Sequence, residues 1–165
     1  MLWPSIALLT FVTLQRLAEL ILARRNTAAL LAQGGREIAP GHYPYMVAMH
    51  AAWLVSLWLL ATGRPVVAVW FVIFMVLQGL RVWVLATLKG RWTTRIIILP
   101  GAPLVESGPY CFLSHPNYAV VVGEIAVLPL AFGLPLHAVV FSLLNAAILT
   151  IRIRAENAAL DQAMA

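Results

Sequence analysis

Residues 118–153 read YAVVVGEIAVLPLAFGLPLHAVVFSLLNAAILTIRI, an apolar run with almost no charge. As one helix at ~1.5 Å per residue it would extend ~54 Å, far more than the ~30 Å hydrocarbon core of a bilayer. Pro129 and the Gly133-Leu134-Pro135 turn punctuate it, because proline lacks the amide donor a helix interior needs and glycine permits a reversal. The stretch is therefore expected to fold as a hairpin of two helices, 118–132 and 136–153. Working outward, three more apolar runs are long enough to cross a membrane: residues 2–23, 45–61 and 66–88. The sequence thus predicts an all-α, polytopic membrane bundle of about five transmembrane helices, in a single domain over 1–165.

Composition supports this. Of 165 residues, 62% are hydrophobic and 10% charged, and mean hydropathy is +0.91. So few charges cannot coat a water-soluble domain, which typically carries ~25%. A soluble enzyme, a disordered tail and a nucleic-acid binder are excluded, despite a net charge of +5. The single cysteine, Cys111, allows no disulfide framework within the chain, and no Cys/His set has metal-site spacing, so no metal is expected. The first run lacks a basic leader and is interrupted by Arg16 and Glu19, so it reads as a retained span and not a cleaved signal.

Charge then gives the orientation. With five spans, residues 24–44, 89–117 and the C-terminal tail share one side. Arg24, Arg25, Arg36, Lys89, Arg91, Arg95, Arg152 and Arg154 fall there, and only Arg64 falls opposite. The positive-inside rule puts the N-terminus outside and the C-terminus in the cytoplasm, as for a protein of a bacterial inner membrane. Trp3, Trp53, Trp70, Trp83 and Trp92 are expected mostly as lipid-facing or interfacial anchors.

Several polar groups sit where lipid is expected. Arg16 and Glu19 share a helical face and can pair, and Glu124 and Arg81 form a plausible interhelical pair or a polar contact for a substrate. His50 reads as a helix-contact histidine. Residues 100–123, PGAPLVESGPYCFLSHPNYAVVVG, are dense in proline and glycine just before a span. Irregular backbone at such depth persists only when buried in protein or lining a polar cavity, so the segment is a ligand site or a re-entrant connector. His115, Asn117 and Tyr118 make a polar pocket there plausible. On the last helix Arg152 and Glu156 are four residues apart, either a solvated pair or an anion-orienting arginine beside a carboxylate.

The order Leu104-Val105, Gly108-Pro109-Tyr110, Ser114-His115-Pro116-Asn117-Tyr118, a helical hairpin, then Arg152 and Glu156-Asn157-Ala158-Ala159-Leu160 resembles the isoprenylcysteine carboxyl methyltransferase family. Its pattern is roughly LV, GPY, RHPxY and a glycine, followed by R and EExxL. Ser114 stands where the family has arginine, and Asn157 where a second glutamate is common. QRLAELILARRN, GHYPYMVAMH and RWTTRIIILPGAPLV resemble a bacterial branch that includes O-methyltransferases of alkylpyrones, found beside type III polyketide synthases.

The resemblance implies S-adenosylmethionine as cofactor, in a pocket between residues 100–118 and the last helix. Leu104 and Val105 would meet the adenosine through backbone groups, Tyr110 and His115 would line the pocket, and Tyr118 would close it. Glu156 would contact cofactor or acceptor, and Arg152 would orient the group being methylated. The acceptor would be lipidic, entering sideways from the bilayer. It is either a small hydroxylated or acidic lipid such as an alkylpyrone, or a prenylated carboxylate. A carboxylate (pKa ~4) arrives ionised and needs only an arginine, whereas a phenol (pKa ~10) also needs a base. Two other classes remain at this point, a non-enzymatic membrane scaffold and, less well supported, a small transporter, for which no inverted repeat is visible. The sequence leaves the oligomeric state open.

Overall fold

A computed structural model of the protein describes residues 3–164, with side chains described through Leu160. Its five helices are α1 (Trp3–Ala32), α2 (Tyr43–Ala61), α3 (Ala68–Leu88), α4 (Pro116–Ala131) and α5 (Pro135–Met164). Four of these are long and apolar enough to cross a membrane, and α4 is a shorter apolar helix. The chain is thus a polytopic helical membrane protein. Side chains such as Leu14, Leu59, Val72 and Leu143 stand exposed around the bundle, where only lipid makes that exposure favourable.

Helix boundaries follow local chemistry more closely than apolar runs do. The first span was expected over 2–23; Leu2 lies outside the described residues, and α1 continues past Ala23 to Ala32. It carries Arg24 and Arg25 past the apolar run and ends before Gly34, whose φ of 91° lets the Gly35 amide reach back to Leu30 O at 2.9 Å. Likewise α5 runs on to Met164, so Arg152 and Glu156 lie within one helix.

Pro129 lies inside α4, as the expected span 118–132 allows, and sits in the last turn. The stop is made by Gly133 at φ 66°, with the Leu134 amide on Pro129 O and the Gly133 amide on Leu130 O, both at 3.0 Å. This left-handed cap reverses the chain, and Pro135 opens α5, where its missing donor costs nothing.

The α3–α4 and α4–α5 pairs make the main helix contacts. At Gly123 the first pair is close: a Cβ there would lie 2.8 Å from Leu77 Cδ2 of α3 and would make that side chain shift. The apolar core is centred on Leu9, Trp53, Leu57, Phe74, Ile125, Leu128 and Phe132. Trp53 and Trp92 are buried, at 1% and 3% exposure, correcting the expectation of lipid-facing anchors for these two; Trp3 and Trp83 are exposed. Trp92 is drawn inward because Asn26 binds its carbonyl at 2.7 Å and its indole N–H donates to Asn117 Oδ1 at 3.3 Å.

At one end, β1 (Arg36–Glu37) pairs antiparallel with β2 (Ile97–Ile98), and Arg152 of α5 donates to Thr94 O at 2.7 Å. The three segments that alternation of spans assigns to one side therefore meet. Arg64 lies beyond α2 at the other end, where Gly63 N donates to Ser5 Oγ at 3.0 Å.

Candidate functional site

Arg152 is the residue around which the site is built. It is 4% exposed. Its Nε donates to Tyr118 OH at 2.7 Å and its Nη1 to Thr94 O at 2.7 Å and Met46 Sδ at 3.0 Å. All three partners are neutral, and among the described residues no ion pair includes Arg152. A buried guanidinium that no carboxylate contacts directly keeps donor capacity for an incoming anion. The two alternatives for Arg152 and Glu156 are thereby separated. They do not form a solvated pair; instead Tyr118 links them, its hydroxyl donating to Glu156 Oε2 while accepting from Arg152.

His115 joins the same cluster. Its ring stacks on Tyr118 with centroids 5.2 Å apart, and its Nε2–H donates to Asn157 Oδ1 at 3.0 Å. Proline at position 116 both starts α4 and holds His115 out of helical geometry, which turns the imidazole toward α5. Tyr110 lies on a short 3-10 turn, Gly108–Cys111, and packs against Ala23, Val84 and Trp92. Burial, reinforced by the negative charge of Glu156, pushes its phenol up to about 12. Gly108 seats that turn: at φ 60° its missing Cβ would lie 2.5 Å from Thr87 Oγ1 of α3. Leu104 is exposed and Val105 half-buried in the loop before it; neither side chain is brought into the Tyr118 cluster, and among the described residues their backbones make no hydrogen bond to it.

A cavity of about 310 Å³ adjoins this cluster, with Tyr118 and Arg152 in its wall. Most of its lining is apolar, including Leu20, Val47, Leu54, Val121 and Ile148. Leu17 of α1 and Val47 of α2 border it while being 52% and 40% exposed, so its mouth faces outward between those helices. Tyr43 and Thr94 cover the end near β1 and β2, with Arg95 held over Tyr43 at 4.3 Å and paired with Glu37 at 2.6 Å.

Across the cavity from α5, two expected pairs merge into one network. Arg16 pairs with Glu19 at 2.8 Å and also with Glu124, while Arg81 bridges Glu124 and Glu19, the latter at 3.2 Å. Gln78 donates to Glu124 at 2.8 Å. Arg16, Glu19 and Arg81 border the cavity; Glu124 is fully buried behind them, with its oxygens occupied by these donors. The network ties α1 to α3 and α4 through long polar side chains. His50, read from the sequence as a helix contact, is in the cavity wall and bonds only within its own helix, to Met46 O at 2.9 Å. Asn117, read from the sequence as a pocket residue, is in the wall, whereas Met46 and Thr94 carried no individual signal, since each is ordinary in isolation and acquires a role only through what it faces.

A family model for the isoprenylcysteine carboxyl methyltransferase family matches residues 68–162, from the start of α3 through the Arg152–Glu156 region. The chain is also 38% identical over 169 residues to a Bacillus subtilis (strain 168) protein named "Uncharacterized protein YpbQ", covering 98% of each chain. No solved structure matches it significantly. The matched span contains Tyr110, His115, Tyr118, Arg152 and Glu156, and with the end-to-end relative it establishes that this chain belongs to the isoprenylcysteine carboxyl methyltransferase family, a family of membrane methyltransferases.

Proposed function

We propose that the protein is an S-adenosylmethionine-dependent O-methyltransferase acting on a lipidic acceptor at the cytoplasmic face of the membrane, with its N-terminus outside. One observation carries the reading: an unpaired, buried Arg152 faces an apolar cavity open between helices, and a single hydroxyl, that of Tyr118, joins it to Glu156 on the other side. The acceptor's tail fits the apolar wall, and its oxygen, carrying or developing negative charge, fits Arg152. A scaffold held only by polar glue would have solid packing at this place.

The remaining cluster suits the cofactor. A sulfonium and an ammonium are favoured beside a carboxylate and aromatic faces, which Glu156, Tyr110, His115 and Tyr118 offer together. The loop carrying Leu104 and Val105 leaves backbone amides and carbonyls for an adenine. When bound, the cofactor supplies an electrophilic methyl group, and the chain's task is alignment and exclusion of water. Arg152 orients the acceptor oxygen, while Tyr118 sets Arg152 and Glu156 at a fixed separation. Arg81 borders the acceptor cavity and Glu124 stands behind it, giving these two a supporting part in shaping it. The charge asymmetry of the loops supports the orientation, since a water-borne donor must reach His115 and Glu156 from the cytosol.

Calorimetric titration with S-adenosylhomocysteine tests the cofactor, and mass spectrometry of membrane lipid incubated with methyl-labelled cofactor tests the transfer. Binding at micromolar concentration and a labelled, base-sensitive ester or an ether are expected. Folded protein that shows no binding below millimolar concentration contradicts the reading.

A further inference from the structure

His50 is in the wall of the acceptor cavity, and its surroundings fix which of its nitrogens is free. Nδ1 lies 2.9 Å from Met46 O. A carbonyl can only accept, so Nδ1 carries the proton, and Nε2 of the neutral ring is left with a lone pair. No hydrogen bond engages Nε2 among the described residues, and it is absent from the buried, unpartnered side-chain atoms. Met46 also binds Arg152 through its sulfur at 3.0 Å. One residue thus contacts both a guanidinium with no direct ion pair and an imidazole with a free lone pair, on the border of one cavity. The other charged groups there, Arg16, Arg81 and Glu19, are committed to one another and to Glu124.

An acceptor that arrives already ionised has no use for a base beside the arginine. One that arrives as a hydroxyl needs both. Resting on the methyltransferase reading above, we propose that His50 is the general base of the reaction, taking the proton of a lipid hydroxyl through Nε2. The O–H bond breaks with its proton passing to Nε2 and its electron pair remaining on oxygen beside Arg152. That oxygen forms a bond to the methyl carbon of a sulfonium donor, whose C–S pair stays on sulfur as a thioether. The imidazolium then returns its proton to water. The acceptor class is an alkylated phenol or enol.

The test compares 4-dodecylphenol with dodecanoate as acceptors at pH 7, for the wild type and for H50N, whose amide keeps a donor near Met46 O but offers no base. H50N is expected to lose at least about 100-fold in kcat/KM on the phenol, with the phenol-to-dodecanoate ratio falling by the same order. In cofactor-free protein its affinity for the phenol should fall about fivefold, for one lost hydrogen bond. Added imidazole should restore phenol turnover to H50A, which serves also if H50N fails to fold. Equal losses on both acceptors, a loss on the phenol below about threefold, or wild-type methylation of dodecanoate alone overturns the role of His50 and leaves methyl transfer standing. Wild-type protein that binds S-adenosylhomocysteine but methylates neither probe also overturns it. Failure to bind S-adenosylhomocysteine at all removes the reading beneath it.

Discussion

Tyr118 shows how much one hydroxyl can organise. It receives a hydrogen bond from Arg152 and gives one to Glu156, so a cation and a carboxylate too far apart to pair are fixed relative to each other. Y118F keeps the ring stacked beside His115 but frees both partners. Its kcat/KM is expected to fall about 100-fold, the cost typical of removing one organising hydrogen bond at a polar reaction centre, measured by methyl transfer from labelled cofactor. Tyr110 reports on the same region through its ionisation. Its phenol is raised from 10.0 to about 12 by burial and by Glu156, so the folded protein holds this proton more tightly than the unfolded chain does. Stability from this source is full below pH 10 and is lost as pH rises from 10 to about 12. Thermal melts in detergent over that window should show a smaller decline for Y110F than for wild type. Sequence reading reached Tyr110, His115, Tyr118, Arg152 and Glu156 because their spacing forms a pattern. It read His50 as a helix contact, since a histidine on an apolar helix gives no sign of which face of that helix borders a cavity.

The helices were legible as apolar runs, and for α2, α3 and α4 so were their C-terminal ends; α1 and α5 run on past the apolar stretch, because a helix end is decided by backbone conformation and not by hydropathy. Pro129 is a strong breaker by composition, yet within the last turn of α4 its absent amide is tolerated, and Gly133 makes the reversal. An L-residue in the left-handed conformation at such a cap costs ~1–2 kcal/mol. G133A is therefore expected to lower the melting temperature in detergent by about 2–8 °C, a shift of ~2–4 °C per kcal/mol at this chain length. G79A, at a helical glycine with open space around the missing Cβ, should not lower it. The tryptophans teach a related point. Trp53 and Trp92 have the composition of interfacial anchors, but Trp92 is held inside by Asn26 and Asn117, partners distant in sequence.

For the whole molecule, the meeting of β1 with β2, and of α5 with Thr94, gathers the basic loops at one end, as alternation of five spans requires. Cys111 is exposed on the segment at that end and is the only cysteine in the chain. In the proposed orientation a membrane-impermeant maleimide should label it in inverted inner-membrane vesicles and leave it unlabelled in intact spheroplasts; the reverse pattern inverts the topology. Within that frame the account's central claim is that Tyr118 and Arg152 divide a donor site from a lipid cavity. A structure determined with S-adenosylhomocysteine and 4-dodecylphenol tests it most directly. The account predicts the nucleoside among Tyr110, His115 and Glu156, with the alkyl chain between α1 and α2 and the phenol oxygen at Arg152. A nucleoside lodged in the α1–α2 cavity, or an acceptor bound away from Arg152, would contradict it.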